Sequence, residues 1–301
     1  MHRAIAAWLT AHPLRAVLLA ALLGVLSPPM LGPFTVATGA ISVLLGLERG
    51  AIWMLAAAAG GTITSLWVLS SLAEPLVSTL DLGNVAVLLL GPAALTLLLR
   101  ATGSLNLCFQ VAVLVAALVL IGVHMAMDDP VGFWVPKVRD VVDSLTKAGI
   151  ALQNDPETMT AALAKMMWGT LTVMTLCSVL FALWLGRWWH SLLHAPGSFG
   201  REYQQLRVGT VLGLGASLVL VLALVSDSHM LSALVWLVFA ALSLQGLAAA
   251  HRSRARGNLN RGWLAAIYVL LIVPLSTAVT IVALAIWGFA DNWTRRNAQQ
   301  V

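Results

Sequence analysis

An all-α fold, a polytopic transmembrane helix bundle, is what this sequence predicts, and three observations predict it. Hydrophobic residues fill 60% of the chain and charged residues only 10%, with a mean hydropathy of +0.91, far from the composition of soluble domains. The apolar residues come in runs that approach the roughly 20 residues a helix needs to cross about 30 Å of hydrocarbon. Those runs are continuous: VAVLVAALVLIGV (111–123) and TLTVMTLCSVLFALWL (170–185) show no period-two alternation, which excludes a barrel. So little lies between the runs that the whole chain, 1–301, reads as one integral membrane domain.

The first run, 14–27, follows His2 and Arg3. The string after it is SPPM, not a small-x-small cleavage site, so the run reads as a retained helix and not a signal peptide. Pro28, Pro29, Gly32 and Pro33 part it from the second run, 33–47, a breaker cluster that predicts a tight turn or a re-entrant hairpin. Further spans are predicted at 51–69, 84–99, 105–127, 162–185, 209–225, 230–250 and 263–288. The total is about nine, or eight if 14–47 is re-entrant. The loop 128–161 holds VPKVRDVVDSLTKAGIAL, where Val138, Val141, Val142, Leu145 and Leu152 recur at helical spacing opposite Lys137, Arg139, Asp140 and Lys147. That pattern predicts an amphipathic helix on the outer surface. Segment 186–208 reads as cytoplasmic and interfacial, with a short helix over 198–208 that groups Phe199, Tyr203 and Leu206 on one face.

Charge sets the orientation. With the N-terminus inside, the inner loops carry Arg3, Arg15, Arg49, Arg100, Arg187, Arg201, Arg207, Arg252, Arg254, Arg256 and Arg261 against only Glu48 and Glu202. The outer side collects acids, among them Asp128, Asp129, Asp140, Asp143, Asp155 and Glu157. This is the positive-inside pattern, expected of a bacterial cytoplasmic membrane protein with a cytoplasmic N-terminus. The pI of 9.9 therefore reports topology, and no nucleic-acid partner is expected. Arg295 and Arg296 conflict with nine spans, which would put the tail outside; a last helix folded back at Pro274 would return it.

Ionisable groups inside a membrane usually mark function, and no Asp, Glu, Lys or Arg falls mid-span. Coupled pumps and intramembrane proteases are thereby disfavoured. Cys108 and Cys177 lie within apolar runs and form no CxxC motif. His124 in HMAMDDP, with Asp128, Asp129 and His229 of the outer SDSHM turn, offers donor types for a metal at the outer face, but the reading preferred is of interface residues. His190 and His194 are four apart in GRWWHSLLHAPG. Without a Glu in an HExxH arrangement, they read with Arg187, Trp188 and Trp189 as an interface anchor. No enzyme, no cofactor and no metal is expected. Ala16, Ala20 and Gly24 form a small-residue face, suited to internal packing or to docking another membrane subunit.

The stretch GRWWHSLLHAPGSFGREYQQLRV (186–208), with RGWLAAIYVLL (261–271) and GFADNWTRR (288–296), resembles the membrane protein family called domain of unknown function 2232. Arg187, Trp188, Trp189, Pro196, Gly197, Phe199, Glu202 and Arg207 carry the first part of the likeness, and Asp291, Trp293 and Arg296 the last. The resemblance implies a distant similarity to the S components of energy-coupling factor transporters, in which a small-residue face on the first helix docks a coupling subunit. Ala16, Ala20 and Gly24 would fill that role, and an ATPase module would be the partner. The function expected is a transport-related subunit that binds a small molecule or lipid between helices, with Trp53, Met54, Trp67 and Trp168 as candidate lining. The alternative is a non-transporting scaffold that holds partners or anionic lipid through its arginine clusters.

Overall fold

The structure, a computed structural model, describes residues 2–27, 32–71, 79–149 and 155–297, the side chains of 79–82 and 295–297 excepted. The described residues form helices and connecting turns, with no strand among them. In chain order these are α1 His2–Ala11, α2 Pro13–Leu26, α3 Pro33–Glu48, α4 Ala51–Ser71, α5 Thr79–Thr102, α6 Leu105–Ala126 and α7 Val135–Lys147. There follow α8 Pro156–His194, α9 Ser198–Tyr203, α10 Thr210–Val225, α11 His229–Ala255, α12 Arg261–Ile272 and α13 Pro274–Asn297. Among the described residues six helices, α4, α5, α6, α8, α11 and α13, are long and apolar enough to cross a membrane. Helices α3, α10 and α12 are apolar but shorter. The breakers Pro28 and Pro29 and the predicted helix residue Leu152 lie outside the described residues.

Two compact units organise the chain: Met1–Ala112 with Thr175–Leu206, and Val113–Met174 with Arg207–Val301. In the first unit α3 is the central helix. Its residues 38–46 are all buried, as expected of a helix apolar on every side, and α2, α4 and α5 pack around it. Helix α2 divides sharply: Ala16, Ala20 and Gly24 are buried, while Leu14, Leu18 and Leu22 are exposed. The small-residue stripe lets α4 approach until a methyl group added at Gly24 would collide with Thr64 and the backbone of Gly61. Across that seam Thr64 Oγ1 donates to the Ala21 carbonyl at 2.8 Å and Ser65 Oγ to the Gly24 carbonyl at 2.7 Å. The leucine stripe opposite is surface that suits hydrocarbon and not water.

Helix α1 was not foreseen, because His2, Arg3, Thr10 and His12 interrupt the apolar run. It is amphipathic and meets α2 at 111°. His12 is extended (φ −134°, ψ 96°) before Pro13, as the residue preceding a proline is driven to be. Ala6 and Leu9 are buried against the first unit, whereas Ile5 and Trp8 stay exposed.

Helix α8 has 39 residues, so it is about 58 Å long, nearly twice the roughly 30 Å hydrocarbon thickness. The predicted span 162–185 is its middle. Residues 186–194 continue the same helix, and the predicted interfacial helix over 198–208 shortens to α9, Ser198–Tyr203. In the second unit α7 carries the predicted amphipathic helix; Val138 and Val142 are buried, but Val141 is 58% exposed.

The predicted span 263–288 is two helices. Val273 adopts an extended backbone (ψ 116°) at the end of α12, again before a proline, and Pro274 has no N–H to continue the ladder. Leu284 lies against Gly246, and Asp291 against Gln245 and Arg252, so α13 runs in the same sense as α11 and α12 is the return between them. This brings the end of α13 beside the arginines of 252–256, where the charge pattern wants the tail. Gly246 and Gly288 make the contact: an added methyl at either would strike main-chain carbonyls of the partner helix. Gly246→Leu should therefore cost roughly 1–3 kcal/mol by overpacking. Leu218→Ala, on an exposed face of α10, should stay within about 0.5 kcal/mol, both read as melting shifts of the detergent-solubilised chain.

Candidate functional site

Three places gather the chemistry: a charged cluster in the first unit, and a buried polar network and an apolar groove in the second.

The cluster is built where α3 and α8 end together. Gly186 sets their separation, since a methyl there would lie 2.6 Å from Val43 Cβ and 2.7 Å from the Ala40 carbonyl. Glu48, the last residue of α3, then faces the final turns of α8. His194 Nε2 donates to Glu48 Oε1 at 2.6 Å, and His190 Nε2 stands 3.7 Å from the same oxygen. Arg187 holds Glu202 of α9 through two guanidinium nitrogens, Nε at 3.0 Å and Nη2, and presents Nη1 to His190 Nδ1 at 2.8 Å. A guanidinium only donates, so Nδ1 is the acceptor and the ring proton of His190 sits on Nε2, toward Glu48. One chain of contacts thus runs Glu202, Arg187, His190, Glu48, His194. The glutamate that the sequence lacked beside the histidines arrives from 146 residues away, a pairing that no local spacing announces.

The other residues of this region are structural neighbours of the cluster. Trp188 meets His2 at a tilt of 54° with ring centroids 5.2 Å apart, and Trp189 packs against the core cluster that includes Ala6 and Leu9 of α1. Pro196 and Gly197 (φ +88°) form the turn into α9. Phe199 lies 6.0 Å from Tyr203, which meets Trp184 edge-on. Arg207 is half-buried at the start of the second unit.

Ala16, Ala20 and Gly24, the face suited to internal packing or to docking, lie at an internal seam. All three are buried in this chain's own α2–α4 seam, so this face is already covered. The four candidate lining residues are likewise scattered. Met54 is buried in the core against Gly46 and Ala93, and Trp53 packs on the α1–α3 cluster. Trp67 is 66% exposed, and Trp168 donates its indole N–H to the Pro130 carbonyl at 2.8 Å. His124 uses Nδ1 on the Leu120 carbonyl, and among the described residues it does not join Asp128, Asp129 or His229 in a group at ligand spacing.

In the second unit, fully buried Gln245 ties three segments. Its Oε1 accepts from Val208 N at 2.7 Å, and its Nε2 donates to the Gly288 carbonyl at 3.0 Å and to Asp291 Oδ2 at 3.3 Å. Arg252 pairs with Asp291, both nearly enclosed. Asn292 closes a two-bond ring with Gly209, each bond 3.0 Å. Trp293 sits beside Phe289, and the side chain of Arg296 lies outside the described residues. The contacts of Asp291 and Asn292 fix the end of α13.

The groove is walled by α6, α10 and α11. Val113, Ala117 and Ile121 face Leu212, Ala216 and Leu237 around about 230 Å³ of space, and every lining side chain is hydrocarbon or glycine.

These features define an all-helical polytopic protein, built from helices of membrane-crossing length and tied at their ends by charged pairs. Comparison with family models, with curated proteins and with solved structures finds no match to this chain.

The Arg252–Asp291 pair gives a direct test. Asp291→Ala removes the carboxylate that faces a nearly enclosed guanidinium, and should cost roughly 3–5 kcal/mol. Replacing both, as Arg252→Met with Asp291→Leu, should cost less than Asp291→Ala alone; unfolding in a denaturing detergent series measures both.

Proposed function

We propose that this chain is a multi-pass protein of a bacterial cytoplasmic membrane, with about nine spans and its N-terminus inside, that binds a lipid chain or a small apolar molecule in a transport-related role. The observation that carries the reading is the α6/α10/α11 groove. A charged or strongly polar ligand would lose its hydration there and find no partner, at a cost of several kcal/mol. An acyl chain or a compact apolar molecule meets no such penalty. Because the surroundings are themselves hydrocarbon, selection must come from packing and shape; Gly215 and Ala216 on α10 supply the depth.

The arginine-rich loops support the orientation, and the return at Pro274, which puts the end of α13 beside Arg252, agrees with a tail on the side of that loop. The resemblance of 186–208 and 288–296 to domain of unknown function 2232 supports a transport-related role with an ATPase partner; that partner would have to dock elsewhere than on Ala16, Ala20 and Gly24. A scaffold remains the alternative.

Native mass spectrometry of the chain extracted gently with its own lipids tests the reading. A stoichiometric bound molecule is expected, lost at least ten-fold in Ala216→Phe with Gly215→Leu, which fill the groove. A copurifying ATPase pair would favour transport. Bulk lipid alone, with no change in the filled variant, would favour the scaffold.

A further inference from the structure

We propose that Glu48, His190 and His194 form a binding site for a first-row divalent cation of the zinc class. The donor set is the first argument. Two imidazole nitrogens and one carboxylate oxygen are the mixed nitrogen and oxygen set that zinc, cobalt and nickel take, whereas magnesium and calcium require more oxygen ligands than the single carboxylate present.

Geometry is the second. The three donor atoms all lie within 4.8 Å of one another, at 2.6 Å and 3.7 Å from Glu48 Oε1 to His194 Nε2 and His190 Nε2. Donors about 2.1 Å from a tetrahedral ion stand roughly 3.4 Å apart, so side-chain movements of an ångström or less complete the site. The frame is preset: the histidines are one helical turn apart on α8, and α3 is held against α8 at Gly186. His194 is 57% exposed, which leaves the fourth position open to water or to a ligand, as in zinc sites that do chemistry.

Arg187 is the counterweight. Its Nη1 occupies His190 Nδ1 and keeps the proton on Nε2, the nitrogen that would ligate. Glu202 neutralises Arg187 through the other two nitrogens, so the guanidinium stays anchored when Nη1 lets go. On each histidine the ring proton then moves, through water, from Nε2 to Nδ1 as the cation takes its place, and the ligands are two neutral imidazoles and one carboxylate.

The experiment uses the full chain in detergent, stripped with a chelator and titrated with zinc chloride against a chromophoric competitor, then with cobalt chloride for its visible d–d bands. One equivalent of zinc and a cobalt spectrum of low coordination number are expected. Affinity should fall at least ten-fold in Glu48→Gln and in His194→Ala, recover in His194→Cys, and stay unchanged in His229→Ala, which lies in the other unit. Size-exclusion chromatography checks that each variant is folded; exposed His194 is the safest of these positions. Binding below one equivalent, or equal binding in wild type, Glu48→Gln and His194→Ala, overturns the site.

Discussion

Helices surrounded by hydrocarbon gain little by hiding apolar surface from one another, because the lipid is as apolar as the neighbour. What holds them is close approach and the few polar contacts that close approach permits. Both units of this chain are arranged around that constraint. Ala16, Ala20 and Gly24 admit α4 in the first, and Gly246 and Gly288 bring α11 and α13 together in the second. At those seams carbonyls that are already bonded within a helix accept a second bond, as Ala21 and Gly24 do from Thr64 and Ser65. On α2 the bulky Leu14, Leu18 and Leu22 are sent outward while the small residues face the seam, which inverts the pattern of a soluble bundle.

Charge is used in the same sparing way. The ion pairs of α8 with α9 and of α11 with α13 sit at helix ends, as does the contact of His194 with Glu48. The Arg187–Glu202 and Arg252–Asp291 pairs are each partly shielded from water and tie together the two helices that carry them. Gln245 serves the same end with a neutral group: it satisfies the Val208 N–H where the chain enters α10 and adds a second bond to the Gly288 carbonyl of α13.

Much of this was legible in the residues, and the exceptions have physical causes. Continuous apolar runs located the long helices, and the valines of 138–142 located α7, because hydropathy and periodicity are local properties. Pro274 was visible as a break, but hydropathy is blind to direction, so a reversal and a kink looked alike. Helix α1 is amphipathic and ten residues long, too polar on average to register as a span. The histidine pair could be read from its spacing, whereas its carboxylate could not, since only the packing of α3 on α8 delivers Glu48. The groove is lined by ordinary leucines, valines and alanines, indistinguishable in sequence from residues that face lipid; of the tryptophans that drew attention, Trp53 and Trp168 pack within their own units and Trp67 is exposed.

The reversal at Pro274 bears on how the chain is made. Helix α12 has twelve residues, about 18 Å, too short to be recognised alone as a crossing segment during synthesis. Helix α13 has the length but runs in the same sense as α11, so neither can be inserted before the other without leaving an end on the wrong side. Helices α12 and α13 therefore make up one hairpin, whose two ends lie beside the end of α11.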